Sequence, residues 1–191
     1  GRVDVGITVH GASSHSSQPE LEHNPIPGAA AVIQGLIDLR LPPAHPYLGP
    51  ATATPYQIHC DPIAPHTLPS TVRVVVDRRL LPGEDPASAT ESIRRHIDPQ
   101  WPNITVAAGE SMMPALVADN AEVVSALGMP TFYSRNAFDA GYGCAKGIPT
   151  VMFGPGRRSF GADVLAVEAV SLSDCRSAAS ALAAAAVTLC G

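Results

Sequence analysis

Residues 2–10, RVDVGITVH, carry Val3, Val5, Ile7 and Val9 at every second position. Successive side chains of an extended chain point to opposite faces, so this run has one apolar side and one mixed side. Residues 70–77, STVRVVVD, are richer still in valine and form the strongest strand signal in the chain. Two further runs are strand-like: 51–60, with Thr52, Thr54, Tyr56, Ile58 and Cys60, and 103–108, NITVAA. Two helical patterns lie between them. Ile26, Ala29, Ala30, Ile33, Leu36 and Ile37 recur at helical spacing, with Asn24, Pro25 and Pro27 at the start and Pro42-Pro43 ending the helix near Arg40. Ala89, Ile93 and Ile97 recur behind an Asp85-Pro86 cap and stop at Asp98-Pro99. The order β-α-β-β-α-β predicts an α+β fold of the ferredoxin-like kind, with two helices on one face of a four-stranded antiparallel sheet.

The last eighty residues have a different rhythm. The pattern predicts a helix over 119–127, a break at Gly128-Met129-Pro130, and a short strand from Thr131 to Ser134. A glycine-rich turn then opens at Asp139, and Ile148 to Phe153 reads as a buried strand cut off by Gly154-Pro155-Gly156. A long helix from Ser173 to Leu189 has Ser173 as its cap and Leu172, Cys175, Ala179, Leu182, Ala186 and Leu189 along one side. Two strands do not make a stable open α/β sheet, so this part is expected to be the end of a larger α/β domain.

Composition removes several classes. Twelve basic against seventeen acidic side chains give a net charge of −5, which argues against a nucleic-acid partner. No apolar run is long enough for a membrane span; the alanine-rich tail from Ser177 to Cys190 is too short and too small-residued. Cysteines at 60, 144, 175 and 190 form no CxxC and read as buried thiols in a reducing compartment, hence a cytoplasmic protein. A serine hydrolase is set aside because no GxSxG elbow occurs and neighbouring Ser and His side chains point apart.

Three segments resemble one enzyme family. GASSHSSQPELEHNPI is similar to a G-x-x-x-H-S-x-x-P-x-x-G-x-N-A motif, with His15, Pro19 and Asn24 in place. VVVDRRLLPGED is similar to D-x-R-x-x-P-G through Asp77, Arg79, Pro82 and Gly83. FDAGYGCAKGIPTVMFGPG followed by EAVSL is similar to a C-terminal D-x-G … G-I-P-x-x-x-x-G-P-G … H-x-x-x-E-x-V run. In this order they resemble the family of acetylornithine deacetylase, succinyl-diaminopimelate desuccinylase and carboxypeptidase G. The resemblance implies a lid of βαββαβ topology that often dimerises, here residues 1–108, and the C-terminal portion of an α/β zinc-peptidase domain, here residues 109–191. The N-terminal half of that domain, with most metal ligands, is expected to be absent, which would explain the strand-like start at Gly1 and the shortage of strands.

The same resemblance implies amide hydrolysis of an N-acyl amino acid or small peptide at two zinc ions, in a homodimer joined through the lid sheet. It implies that His15 supplies a donor to the oxyanion, that Arg79 grips a substrate carboxylate and that Asn24 hydrogen-bonds substrate. It also implies that Asp139, Gly154 and Gly156 face the active site. Each has a plainer reading from the residues alone. His15 can bond Ser13 or Ser17, Arg79 can pair with Asp77 or Glu84, Asn24 can cap a helix, and the glycines can serve turns.

Departures are equally specific. The last metal-ligand histidine of the pattern falls on Val164, four residues before Glu168, and no histidine follows His96. The second lid motif, G-G-x-A-x-N-x-x-P, reads Asp61 to Pro69, with His66 in place of Asn and the Gly-Gly pair lost. Glu22 replaces the Gly before Asn24 and Pro25 the Ala after it. His59-Cys60-Asp61 imitates a metal-binding His-x-Asp in the wrong place, at the end of a lid strand. The chain alone is therefore expected to bind no zinc and to be inactive, and a non-catalytic dimerisation or ligand-binding remnant is the alternative.

Overall fold

A computed structural model describes residues 1–97, 103–114, 121–155 and 170–191. The chain opens with β1 (Arg2–His10), the two-residue β2 (Ser14–His15) and α1 (Pro25–Gly35). It continues through β3 (Thr52–Asp61), the two-residue β4 (Thr67–Leu68) and β5 (Thr71–Arg79), then α2 (Pro86–Ile97) and β6 (Ile104–Met112). The four long strands form one antiparallel sheet in the order β3-β5-β1-β6. That is the topology expected from the βαββαβ pattern, and β6 runs four residues past the expected end at 108.

The period-2 valines set the core. Val3, Val5, Ile7 and Val9 of β1 lie beside Val72, Val74 and Val76 of β5, all on the face the helices cover. Ala29 and Val32 descend from α1, Leu36 from the turn just after it, and Ala89, Ile93 and Ile97 from α2. Burial of each large side chain contributes on the order of 1.5–3 kcal/mol. Arg78 follows in the same β5 row and is also fully buried. Its guanidinium donates to a Glu84 carboxylate oxygen and to the Arg79 carbonyl, and the other Glu84 oxygen accepts from the Leu81 N–H at 2.7 Å. The turn Pro82-Gly83, with Gly83 at φ +90, thus closes on a charge pair that plugs the end of the core.

Each helix starts as its sequence dictates. Asn24 Oδ1 accepts from Ile26 N–H at 3.1 Å, and Asp85 Oδ1 accepts from Ser88 N–H at 2.9 Å. The α1 pattern extends less far than expected, giving way at Leu36–Asp38 to a 3-10 turn.

The later residues depart from the sequence reading. Neither Thr131–Ser134 nor Ile148–Phe153 forms a strand, because no neighbouring strand offers either a hydrogen-bond ladder among the described residues. Instead Tyr133 stacks on Tyr47 at 4.6 Å between ring centroids, and Arg135 donates to the Pro50 carbonyl at 3.4 Å. The expected glycine-rich turn is a short helix, α4 (Ala140–Ala145). The final helices are α3 (Ala121–Leu127) and α5 (Leu172–Cys190), which pack together. The cap of α5 is Ser171, not Ser173; its Oγ accepts from Asp174 N–H at 3.0 Å. Its buried side is the alanine row 178, 181 and 185, whereas Leu172, Leu182 and Leu189 are exposed. Alanine permits closer helix approach than leucine, and the helix is apolar enough all round for either side to be covered.

Ile93 is 0% exposed. Ile93→Ala is expected to cost about 2–5 kcal/mol of stability, read from urea unfolding midpoints. The Asp85 carboxyl is held below its ordinary value by the bonds it accepts from the Ser88 hydroxyl and backbone N–H. A group whose pKa is lowered by folding contributes fully above its unfolded value and loses that contribution as pH falls through the folded one. Asp85→Asn, which keeps an acceptor and removes the charge, is therefore expected to flatten the acid side of the stability curve below about pH 4. Unfolding midpoints measured from pH 7 down to pH 2 check this.

Candidate functional site

The loop after β1 folds back because Gly11 allows it. A Cβ at Gly11 would stand 2.0 Å from the His23 carbonyl oxygen, and the next residue, Ala12, donates its N–H to that oxygen at 2.9 Å. This contact draws Asn24 alongside the start of the β2 segment. The β2–β4 ribbon then pairs Ser14 with Leu68 and His15 with Thr67, and Ser16 N–H donates to the His66 carbonyl at 2.8 Å. His15 is exposed, and its Nδ1 accepts from the Ser17 backbone N–H at 3.2 Å and lies 2.7 Å from Ser17 Oγ. With Nδ1 an acceptor, the proton of the neutral ring sits on Nε2, which is a free-standing N–H donor. Of the two partners expected for His15 from sequence, Ser17 is the one it takes; Ser13 Oγ donates to the Leu68 carbonyl instead, at 2.7 Å.

His66 joins this end of the sheet. Its ring centroid is 6.2 Å from that of His15, and its backbone is left-handed at φ +54. Asn and His are among the few non-glycine residues that adopt this conformation readily. The substitution of His for the motif's Asn therefore preserves the turn and places a second imidazole beside the first. In the sequence His66 stands out only as a departure from the motif; the signal that could have placed it is the pairing of two short segments, which spacing alone does not reveal.

Arg79 lies at the other end. Its guanidinium donates to Asp77 Oδ2 at 2.7 Å and to the Arg135 carbonyl at 3.3 Å, while Glu84 is taken by Arg78. Asp77 faces Asp4 across the β1–β5 ladder, and Tyr56 OH donates to Asp4 Oδ2 at 3.3 Å. Loss of hydration, then the Asp4 carboxylate, pushes the Tyr56 hydroxyl above its ordinary value. The segment carrying Asp139 docks at this same end. A Cβ at Gly141 would be 2.1 Å from the Met113 carbonyl oxygen, and Tyr142 OH donates to the Ser111 carbonyl at 3.3 Å. Asp139 precedes α4 without capping it and is exposed. Gly154 is exposed, and no contact with the described residues calls for glycine there. Gly156 and Val164 lie outside the described residues.

The predicted site residues therefore fall into two groups. His15, Asn24 and, with them, His66 sit where β5 begins; Arg79 and the Asp139 segment sit where it ends. Between them lie the nine residues of β5, roughly 25 Å of extended chain. Among the described residues no group of three or more His, Cys, Asp or Glu side chains could hold a metal ion. His59, the imitation ligand, is 3.2 Å from Gln57 Oε1 on the sheet and joins no such group. The four cysteines are free but not buried as expected, with Cys60, Cys144 and Cys175 half-buried and Cys190 exposed, and no helix among the described residues is long and apolar enough to cross a membrane.

Residues 1–105 match a family model described as a peptidase dimerisation domain. No curated protein sequence matches the chain. Among solved structures, the M20 family metallo-carboxypeptidase Sso-CP2 from Sulfolobus solfataricus aligns over 76% of this chain and 55% of its own, at 17% identity and a TM-score of 0.59. A hydantoinase/carbamoylase family amidase from Burkholderia ambifaria aligns over 100% of this chain and 46% of its own, at 17% identity and a TM-score of 0.58. An amidase of the hydantoinase/carbamoylase family from Burkholderia phymatum aligns over 78% and 40%, at 19% identity and a TM-score of 0.50. The chain thus spans about half or less of the lengths of these proteins, and at such identities the likeness is one of fold.

The hydrogen bond from Ser17 makes a definite statement about His15. In a 15N-labelled chain at pH 8, long-range imidazole correlations are expected to show Nε2 protonated and Nδ1 bare. The opposite tautomer would remove His15 Nε2 as a donor.

Proposed function

This chain belongs to the M20 peptidase dimerisation-domain family, and from that premise we propose that it is the lid and C-terminal part of a metal-dependent amide hydrolase. The division falls as the motifs place it, with the lid over residues 1–108 and the catalytic-domain portion over 109–191. The proposed substrate is an N-acyl amino acid or small peptide, in the manner of the acetylornithine deacetylase, succinyl-diaminopimelate desuccinylase and carboxypeptidase G group. The observation that carries the reading is His15, an exposed imidazole held on a short ribbon with Nδ1 engaged and Nε2 offered as a donor. Such a donor, fixed before substrate arrives, suits the negative oxygen that develops when an amide carbonyl is attacked.

Metal ions would supply the attacking hydroxide in such an enzyme. The described residues do not make a zinc site, and the roles open to this chain are those of its own side chains. His15 would donate Nε2–H to the developing oxyanion. Asn24, whose Oδ1 caps α1, keeps its amide N–H groups for a substrate acceptor. Arg79 would receive a substrate carboxylate by bidentate contact, exchanging the Asp77 oxygen it now holds. Asp139, Gly154 and Gly156 would line the approach to the same centre. With roughly 25 Å of strand between them, His15 and Arg79 of one copy cannot hold one small substrate together. They would serve different copies in a homodimer, the state that a dimerisation domain serves in this family. The free thiols and the acidic charge fit a cytoplasmic protein with no nucleic-acid or membrane partner.

One observation favours a second reading. Val164 stands where the pattern requires a metal-ligating histidine. A remnant that dimerises or binds a ligand without catalysis would tolerate this change.

The test begins with the native polypeptide isolated from its source, its intact mass compared with 19.8 kDa. That polypeptide, supplied with Zn2+, is then assayed on N-acetyl, N-succinyl and N-carbamoyl amino acids and on dipeptides. The proposal expects hydrolysis that a chelator abolishes and added zinc restores. His15→Ala is expected to lower kcat by about 10²–10³-fold with a much smaller change in KM. No hydrolysis of any of these compounds, with or without zinc, would leave the remnant reading in its place.

A further inference from the structure

Residues 45–50 lead into β3 as a small closed turn. His45 and Gly49 exchange backbone hydrogen bonds at 2.9 and 2.8 Å, with Gly49 left-handed at φ +73. His45 Nδ1 accepts from the Tyr47 and Leu48 N–H groups at 3.2 and 3.4 Å, which ties down the tip. Ala51, at the exit of the turn, is buried, and Thr52 after it is the cross-strand partner of Arg79. The turn is therefore fixed close to Arg79. It holds Tyr47 out from the surface, where that side chain is 64% exposed.

The partner of this ring comes from far along the chain. Tyr133 stacks on Tyr47 with 4.6 Å between centroids and 11° between planes, and is itself 46% exposed. Two residues on, the Arg135 guanidinium donates to the Pro50 carbonyl at 3.4 Å. The 133–135 backbone is thus tied to the turn twice, once by a ring and once by a guanidinium. Its Arg135 carbonyl accepts from Arg79 Nη1 at 3.3 Å. A stack as exposed as this one buries little apolar area. What it fixes is direction, because aromatic pairs hold preferred geometries.

We infer that Tyr47 and Tyr133 are positioning residues for Arg79, their stack holding the Arg135 carbonyl where it aims the guanidinium at an incoming carboxylate. The inference rests on the carboxylate-binding role proposed for Arg79 above and names what gives that role its geometry. Arg79 is held by two arms, Nη2 on Asp77 at 2.7 Å and Nη1 on the Arg135 carbonyl. A substrate carboxylate has the charge and shape to take the place of Asp77, and a neutral carbonyl is not what it replaces. Once Asp77 is displaced, the Arg135 carbonyl is the contact among the described residues that still orients the fork. A guanidinium held in this way before substrate arrives loses less freedom on binding than one that swings.

Tyr47 is the residue to change, because it lies outside the core. In the native polypeptide, assayed on the N-acetyl, N-succinyl and N-carbamoyl amino acids named above, Tyr47→Ala is expected to raise KM about 5–10-fold, the worth of one hydrogen bond, with kcat changed less than about twofold. Tyr47→Phe, which keeps the ring, is expected to restore the original KM. Loss of folded protein would lower kcat and leave KM alone, so an unchanged KM in Tyr47→Ala overturns the inference, as does a KM that Tyr47→Phe fails to restore. A second measurement needs no catalysis. In the 15N-labelled chain, rotation of the Arg79 guanidinium about Nε–Cζ is expected to be at least about 5-fold faster in Tyr47→Ala than in the unsubstituted and Tyr47→Phe chains, read from exchange between the Nη resonances. Equal rates in all three overturn the inference and leave the proposed hydrolase standing. An absence of hydrolysis in the unsubstituted polypeptide, with the rates differing as expected, overturns the hydrolase and keeps the hold on Arg79.

Discussion

Nine consecutive cross-strand pairs tie β1 to β5, from Arg2–Arg79 to His10–Thr71. Everything else in the first hundred residues hangs on this ladder. Because the side-chain period is two, one register puts Val3, Val5, Ile7 and Val9 beside Val72, Val74 and Val76 on the same face. A slip of one residue would turn those valines to the open side and bring Asp4, Arg73 and Asp77 under the helices. The hydrophobic cost of that exchange, several side chains at roughly 1.5–3 kcal/mol each, fixes the register more firmly than any single turn. With β1 and β5 set, β3 and β6 have one free side each to join, and the two helices have one apolar floor to cover.

The same ladder sets what the chain can offer at its ends. At the His10–Thr71 end the strands give way to loops that cross back through β2 and β4, and two histidines meet there. At the Arg2–Arg79 end, Arg79 is held by Asp77 while Arg78 turns inward to Glu84. Adjacent arginines on a strand must point to opposite faces, so one serves the core and its neighbour remains on the open side. The buried pair closes the core where α2 begins, and breaking it by removing either partner would strand a charge in the interior. The separation of the two ends is a property of strand length and cannot be altered by loop movement.

Much of the fold was legible because its elements obey simple periods. The alternating valines, the i, i+4, i+8 spacing of Ala89, Ile93 and Ile97, and the Asn24 and Asp85 caps each state a local preference that the packed structure keeps. The later residues were less legible for a physical reason. Ile148–Phe153 is apolar enough for a strand, but a strand exists only where a ladder partner lies beside it. AGYGCAK looks like a turn by its glycines, yet Gly141 and Gly143 are what let a short helix lie against Met113 and Thr150. In α5, leucine spacing pointed to the wrong side, because small alanines made the better contact with α3.

By itself the sequence determined the topology of residues 2–108, the family resemblance and the identity of His15, Asn24 and Arg79 as candidates. These follow from period, capping and motif order, which act over a few residues at a time. Only the tertiary structure decided that Ser17 is the partner of His15, that His66 stands beside it, and that Arg79 lies a strand's length away. It also decided that Ala29 and Val32 of α1 are buried while the equally apolar Ile26 and Ile37 stay exposed. Those outcomes depend on which segments pair across the sheet and on the angle at which a helix settles, and neither is written in the spacing of residues along one element.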